Sequence, residues 1–177
     1  MDFRKKIIPP EDYQKFELEG KFVWCGSAVK NKKDGKYYLF FSYWDKKKQF
    51  KAWVSHSKIG IAVSDSPEGP YSFYRNMNEL NNQSWCEDMT HNPTVKEYDG
   101  KYYLYYVGTR YDKPGPDVPA HLHPARDNQQ IGVAVADSPS GEWMPFEGNP
   151  VLKPRENHWD NTYVTNPSIY FLFSELV

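Results

Sequence analysis

Aromatic and β-branched residues stand in short runs along this chain, and turn-forming residues separate each run from the next. The run Tyr37–Phe41, for example, follows the turn dipeptide Asp34-Gly35. Six Trp, 14 Tyr and 10 Phe make up 17% of the 177 residues, and 14 Pro and 11 Gly punctuate the sequence. Aromatic runs interrupted by turn residues are typical of β-strands. The pattern therefore predicts an all-β protein.

Three segments of the sequence recur further along the chain, at spacings of 65, 72 and 74 residues. Self-similarity at a nearly constant period is the signature of a repeat architecture, in which each copy forms one structural unit. The recurring pairs are Asp34–Phe41 with Asp99–Tyr106, Ile59–Pro67 with Ile131–Pro139, and Trp85 plus His91–Val95 with Trp159 plus Thr165–Ile169.

Each copy of the repeat contains four predicted strands joined by alternating short and long links. The predicted strands are 27–30, 37–43, the segment from Ile59 and 71–75 in the first copy, and 94–97, 102–108, the segment from Ile131 and 143–147 in the second. The Asp-Gly dipeptides between the first two strands of each copy predict hairpins. Four antiparallel strands in a repeated unit are typical of a β-propeller blade.

The number of blades indicates an incomplete β-propeller. Residues 21–76 are predicted to form one blade, 77–148 a second, and 149–177 the start of a third. A propeller closes with about four to eight blades, so the expectation is a single partial propeller domain, the N-terminal half of a larger protein or a gene fragment. The unfinished sheet edge would allow self-association.

Antiparallel connectivity brings the long links of every blade to one end of the propeller, here called the long-loop end (links 44–58, 76–91, 109–130 and 148–165). Long loops on a rigid scaffold commonly carry binding sites. The tryptophans predicted at this end are Trp24, Trp44, Trp53, Trp85 and Trp159. Indole faces beside carboxylate, amide and guanidinium groups suit a carbohydrate, because the C–H faces of a sugar stack on aromatic rings and its hydroxyls need polar partners.

Several segments together resemble the five-bladed β-propeller glycoside hydrolases around family 43, including the furanosidase and sucrase-like groups. The segments are Trp24–Val29, Met89–Thr94, the two Asp-Gly-Lys-Tyr-Tyr strands and the turn Ser64–Tyr71. The resemblance implies cleavage of glycosidic bonds in a poly- or oligosaccharide by paired carboxylates. It also implies a base or nucleophile Asp at the start of the innermost strand of the first blade, and an acid Glu from a later blade.

This chain departs from that pattern at the innermost strands. The first blade has Trp24–Ser27 there, without a carboxylate, and the later copies have His91-Asn92 and Thr165-Asn166. A non-catalytic carbohydrate-binding propeller is therefore the alternative function, and this chain alone is expected to be inactive. The nearest acids give Asp88 as the first candidate catalytic residue and Asp160 as the second, although solvated loop acids would look the same.

The candidate substrate-binding residues are Trp24, Trp44, Trp85, His91, Asn92, Arg110, Trp159 and Asn166. Two of them, Asn92 and Asn166, precede Pro at matched positions, which also fits a role in the fold. Two interpretations stay open for Arg110 and Arg126: they clamp a charged sugar or carboxylate, or they form exposed ion pairs of little energetic value.

The charge balance narrows the possible partners. Lys and Arg number 22 against 23 Asp and Glu, a net charge of −1, which argues against nucleic acid as a partner. No apolar stretch is long enough to span a membrane, and no apolar signal segment is evident, so the compartment stays open.

Metal and cofactor sites are not predicted. The two cysteines are too few for a disulfide framework or a zinc site by themselves. The group formed by His121, His123, Asp112 and Asp117 invites a metal interpretation, but prolines flank it and a surface loop fits it better.

Overall fold

The structure, a computed structural model, describes residues 15–110 and 124–170, which form two four-stranded antiparallel sheets. The strands of the first sheet, in spatial order, are β1 (Lys21–Lys30), β2 (Tyr37–Asp45), β3 (Lys58–Ser64) and β4 (Ser72–Asn76). Those of the second sheet are β5 (Met89–Tyr98), β6 (Lys101–Thr109), β7 (Gln130–Ala136) and β8 (Met144–Pro145). The predicted all-β class, with four antiparallel strands in each unit, is confirmed.

Helical structure in the described residues is limited to one short helix and a few turns. They are α1 (Trp53–His56) and the 3-10 turns Lys46–Lys48, Phe50–Ala52, Asn78–Asn81 and Pro124–Asn128. In this part of the chain no helix has the length and apolar character needed to cross a bilayer.

The Asp-Gly hairpin predicted between the first two strands of the second sheet is confirmed. The two residues Asp99 and Gly100 join β5 directly to β6, with φ angles of 50° and 77°. Positive φ at both central residues is the backbone geometry of the two-residue hairpin that suits twisted strands. In the first sheet the matching Gly35 has a φ of 75° in a longer link.

The two inner strands, β1 and β5, begin about five residues before their predicted starts at 27 and 94. Pairing with β2 starts at Lys21 opposite Asp45 and shifts register between Trp24 and Gly26. A matching shift in β5 lies between His91 and Thr94. A β-bulge adds a residue to one strand and breaks the alternation of side chains. The residues before each bulge therefore lack a continuous alternating pattern, and the sequence does not predict them as strand.

The outer strand of the second sheet is shorter than predicted, because β8 holds only two residues instead of 143–147. Pro145 has no N–H to continue the pairing. Beyond it the chain returns to β7, where Ile131 bridges Leu152 and the N–H of Val151 donates to the Ile131 carbonyl at 2.8 Å.

The third copy of the inner-strand pattern lies beside β5. The hydroxyl of Thr94 donates to the carbonyl of Pro167 at 2.7 Å, much as the hydroxyl of Ser27 accepts from the N–H of Val95 at 3.1 Å. Residues 163–170 have no regular secondary structure, and 171–177 lie outside the described residues. The start of a third blade therefore stays a prediction.

A shared aromatic and aliphatic core joins the two sheets. The first sheet contributes Tyr38, Phe40, Ile59 and Ile61, and the second contributes Val95, Tyr102, Leu104, Tyr106, Ala134 and Ala136. Phe40 meets Trp143 edge to face, with ring centroids 5.3 Å apart. Full burial of a side chain such as Phe40 contributes about 1.5–3 kcal/mol. This packing holds β1 and β5 next to each other, and the Val95 N–H donates to the Ser27 hydroxyl between them.

A tryptophan in the link between the sheets packs over two glycines of the second sheet. The ring of Trp85 lies 5.6 Å from that of Tyr106, centroid to centroid. A Cβ added at Gly108 would lie 2.5 Å from the Trp85 ring, and one added at Gly132 would lie 2.7 Å from the Trp85 Cη2. The indole therefore lies so close to the backbone at these two positions that any residue with a Cβ would overlap it.

We expect Gly132→Ala to destabilise the fold by about 1–3 kcal/mol, the usual cost of overpacking a filled core. The added methyl must displace the Trp85 ring from its place in the core. Urea denaturation measures the loss, with Ser72→Ala on the exposed strand β4 as a control expected to change little. Equal stability of Gly132→Ala and the wild type would contradict the described packing of Trp85.

Candidate functional site

A cavity of about 600 Å³ opens at the long-loop end, between the inner strands of the two sheets. Ligand cavities commonly occupy about 300–1,000 Å³. Both sheets and the segment after β8 contribute to its walls. The lining residues are Trp24, Cys25, Trp44, Phe50, Lys51, Trp53, His91, Asn92, Arg126, Gln129, Tyr163, Thr165 and Asn166.

Three residues at matched positions of the repeat line the cavity with left-handed backbone. The φ angles are 47° at Cys25, 48° at Asn92 and 54° at Asn166. Cys25 and Asn92 occupy the bulges of β1 and β5, and bulges commonly re-aim side chains near functional sites. Asn tolerates this conformation better than most residues. The repeated Asn thus meets a backbone requirement and also brings an amide to the cavity.

The two amides are in contact with each other: Asn92 Nδ2 donates to Asn166 Oδ1. The backbone N–H of Asn92 donates to the hydroxyl of Ser42 at 3.0 Å. The Oδ1 of Asn92 is buried and has no hydrogen-bond partner among the described residues.

Tryptophans form the apolar wall on the side of the first sheet. Trp24 is 51% exposed and meets Phe50 edge to face at 5.5 Å between centroids. Trp44 is buried behind it, lies 5.6 Å from Phe50, and donates its indole N–H to the Gln49 carbonyl at 3.2 Å. Trp24 therefore presents accessible indole surface to the cavity, while the buried Trp44 packs against Phe50, the ring that Trp24 contacts.

His91 is held in place by two aromatic rings and a hydroxyl. It stacks on Trp53 with ring centroids 5.1 Å apart, and Trp44 lies 6.0 Å away. Its Nδ1 is 2.7 Å from the Ser57 hydroxyl. Burial lowers the pKa of His91 to about 4, so the imidazole is neutral at neutral pH. Since Ser57 engages Nδ1, Nε2 is the ring nitrogen that can serve a ligand.

Cys25 occupies the segment in which the family resemblance implies a catalytic Asp. Burial raises the pKa of the Cys25 thiol to about 11. The reactive form of cysteine is the thiolate, so at neutral pH this thiol is protonated and a poor nucleophile. The side chain offers a small, weakly polar surface to the cavity.

The charged residues of the lining are both cations, Lys51 and Arg126, and no Asp or Glu is among the lining residues that the structure describes. The candidate catalytic residues lie outside the lining. Asp88 is half-buried, and its carbonyl accepts from the Lys58 ammonium at 3.2 Å. Both carboxylate oxygens of Asp160 accept from Arg155 Nε, at 3.2 and 2.9 Å.

Five of the eight predicted substrate-binding residues come together in the cavity: Trp24, Trp44, His91, Asn92 and Asn166. The other three lie elsewhere. Trp85 packs over the glycines of the second sheet, and Arg110 Nε lies 3.9 Å from Glu87 at the surface. Trp159 is 90% exposed outside the lining.

Sequence reasoning left several lining residues out of the candidate set. Thr165 matches Trp24 and His91 in the repeat, and this alignment could have identified it. Phe50 and Gln129 are in loops of unequal length that carry no repeat signal. The histidines and aspartates of 112–123 lie outside the described residues. Within 15–110 and 124–170 no three His, Cys, Asp or Glu side chains converge as a metal site would require.

Comparison with known proteins supports the family resemblance at the level of the fold. No family model matches the chain. Xylosidase/arabinosidase 43A of Humicola insolens is 46% identical over 52 residues, which are 29% of this chain and 13% of that protein.

Three solved structures share the fold at low sequence identity. The family 117 glycoside hydrolase Zg3597 of Zobellia galactanivorans has a TM-score of 0.59 and 18% identity, covering 87% of this chain and 47% of that one. A GH43 β-xylosidase/α-arabinofuranosidase from a compost metagenome gives 0.54 and 20%, covering 83% and 42%. A GH43_1 enzyme of Xanthomonas citri gives 0.53 and 18%, covering 77% and 37%.

The matched region thus spans less than half of each of these structures. The neighbours are five-bladed propeller glycoside hydrolases, and the described sheets have the fold of part of such a propeller. The predicted propeller class is confirmed.

The depressed pKa of His91 predicts a loss of stability in mild acid. The unfolded state binds this proton below pH 6.5, whereas the folded state resists it down to about 4. The free energy of unfolding should therefore fall by about 3 kcal/mol as the pH drops through this window, since each pKa unit corresponds to about 1.4 kcal/mol.

Urea denaturation between pH 7 and pH 4.5 measures this effect. His91→Gln should flatten the pH dependence, whereas His56→Gln, which alters an exposed histidine, should leave it in place. A wild-type free energy of unfolding that is constant from pH 7 to 5 would rule out a buried neutral His91.

Proposed function

We propose that the cavity at the long-loop end is a saccharide-binding site of a glycoside hydrolase-type propeller. The observation that carries the proposal is the half-exposed indole of Trp24 beside the amides of Asn92 and Asn166 in one cavity. A sugar ring needs such a combination, because its C–H face is apolar while each hydroxyl requires a hydrogen-bond partner.

The polar groups around the indole suit hydroxyl recognition. The neutral imidazole of His91, oriented by Ser57, supplies one donor or acceptor at neutral pH. The amides of Asn92 and Asn166 line the same cavity and supply further polar groups beside the indole.

Hydrolysis of glycosidic bonds in a poly- or oligosaccharide is the activity that the fold supports for the intact protein. Two of the similar proteins are named as a xylosidase/arabinosidase and a β-xylosidase/α-arabinofuranosidase, and the structure of the second, from the compost metagenome, contains xylotriose. Such hydrolysis requires two carboxyl groups on either side of the scissile bond, about 5–9.5 Å apart. In this proposal the carboxylates come from outside the described lining.

Non-catalytic carbohydrate binding is the second candidate function, and a specific observation favours it. The described lining contains no Asp or Glu, and the residue in the first-blade position is a protonated thiol, Cys25. These residues can bind and orient a sugar but provide no acid–base pair. The two candidates share the same binding site and differ only in turnover.

We expect Trp24→Ala to weaken saccharide binding about three- to tenfold, the value of one aromatic contact, without a large loss of stability. Trp159→Ala is the matched control, because Trp159 is more exposed and lies outside the cavity. Calorimetric titration with xylan, arabinan and fructan oligosaccharides measures both variants. A binding role for the cavity would be contradicted if both substitutions weakened saccharide binding equally, or if neither weakened it.

We expect the 177-residue chain to bind saccharide without cleaving it. Incubation with aryl glycosides and with arabinan, xylan and fructan oligosaccharides should release no sugar, and Asp88→Asn and Asp160→Asn should leave binding unchanged. Sugar release that either substitution abolishes would instead establish hydrolysis by this chain and give that aspartate a catalytic role.

A further inference from the structure

The hydroxyl that contacts His91 is held by backbone hydrogen bonds on both sides. Ser57 lies between α1 and β3, and its N–H donates to the Trp53 carbonyl at 3.2 Å. Its own carbonyl accepts from the N–H of Thr90 at 3.1 Å. Ser57 is thus tied to the residue on which the imidazole stacks and to the residue that precedes His91 in β5. Its hydroxyl therefore meets His91 Nδ1, at 2.7 Å, from a fixed position.

The direction of this hydrogen bond follows from the burial of the serine. Ser57 is fully buried, and His91 Nδ1 is the one hydrogen-bond partner of its hydroxyl within 15–110 and 124–170. A hydroxyl has one proton to donate, and a buried donor without an acceptor is costly. If Nδ1 carried the imidazole proton and donated it to Ser57, the hydroxyl proton would have no acceptor in this part of the chain. Ser57 is therefore the donor.

The proton of the imidazole then lies on its other nitrogen. Burial lowers the pKa of His91 to about 4, so at neutral pH the ring carries a single N–H. Since Nδ1 accepts from Ser57, that N–H is at Nε2. His91 lines the cavity, and Nε2 is not among the buried side-chain atoms of the described residues that lack a partner. The Nε2–H group is therefore accessible from the cavity.

We propose that Ser57 is a positioning residue: it fixes the tautomer of His91, so that an Nε2–H donor faces the cavity and selects a saccharide oxygen that can accept. This inference rests on the proposed saccharide-binding function and specifies the chemistry of one contact. A hydroxyl, ring or glycosidic oxygen accepts such a hydrogen bond. The ammonium group of an amino sugar only donates, so an amino sugar is rejected at this position.

The tautomer is measured first, in the protein without a ligand. Long-range ¹H–¹⁵N correlation spectra distinguish a protonated from an unprotonated ring nitrogen in each histidine, and His91→Gln identifies the signals of His91. We expect wild-type His91 at neutral pH to have Nε2 protonated and Nδ1 unprotonated. A spectrum in which Nδ1 carries the proton, or in which both tautomers are comparably populated, would overturn the proposal.

Substitutions then test whether Ser57 fixes the tautomer. Ser57→Ala should admit a population with Nδ1 protonated, whereas Ser57→Thr, which keeps a hydroxyl, should retain the wild-type signals. Ser55→Ala is the matched control, because the Ser55 hydroxyl lies 2.8 Å from Nδ1 of the exposed His56. It should leave the His91 signals unchanged. A His91 spectrum of Ser57→Ala identical to that of the wild type would overturn the positioning role.

The contact with the saccharide is measured with modified ligands. Calorimetric titration identifies which of xylotriose, arabinotriose and a fructan trisaccharide binds, and each hydroxyl of that sugar is then replaced in turn by hydrogen, fluorine or an amine. Fluorine can accept a hydrogen bond but cannot donate one. At the hydroxyl that faces Nε2 we expect hydrogen to weaken binding about three- to tenfold, the value of one hydrogen bond. Fluorine should weaken binding less and the amine more, and Ser57→Ala should reduce these differences.

The outcomes separate this inference from the proposed function. If the amine or hydrogen is tolerated at every position while Trp24→Ala still weakens binding, the acceptor contact is overturned and saccharide binding is retained. If none of the three trisaccharides binds, the proposed function and the saccharide contact both fail, while the spectrum of His91 still determines whether Ser57 sets the tautomer.

Discussion

The shared core between the two sheets determines where the site residues of the inner strands lie. A buried layer that includes Phe40 and Trp143 holds the sheets together. Trp85, in the segment that joins the sheets, packs against Gly108 and Gly132 of the second sheet. This packing brings the inner strands β1 and β5 side by side, joined by the Ser27 to Val95 hydrogen bond. Because both inner strands bulge at the same level, their left-handed residues open onto one cavity.

The cavity combines three kinds of surface that single elements could not supply. The first sheet provides tryptophan faces, the inner strands provide amides and a neutral imidazole, and the two loops joined by Val54 and Ala125 provide the cations. His91 is buried against Trp53, on which its ring stacks. The same burial lowers its pKa, so one packing arrangement fixes both the orientation and the neutral state of the imidazole. The site is therefore suited to recognition, while its described lining lacks the acid pair of a glycosidase.

Local patterns sufficed to predict the all-β class, the four-stranded units and the Asp99-Gly100 hairpin, because each depends on residues close in sequence. The full length of β1 and β5 could not be predicted, since the bulges at Cys25 and Asn92 interrupt the alternation. Prediction of the site was limited by loop conformation. Trp85 and Trp159 carry the same side chain, yet one is packed on Gly108 and Gly132 and the other faces solvent. Only tertiary contacts distinguish them.

We propose that the packed inner strands form a saccharide-binding cavity at the long-loop end. A crystal structure of the protein with its tightest-binding oligosaccharide would show where the sugar binds. We expect electron density for a sugar ring against the exposed face of Trp24, with a hydroxyl within hydrogen-bond distance of Asn92. A sugar bound at the short hairpins of the opposite end, or on the isolated Trp159, would contradict it.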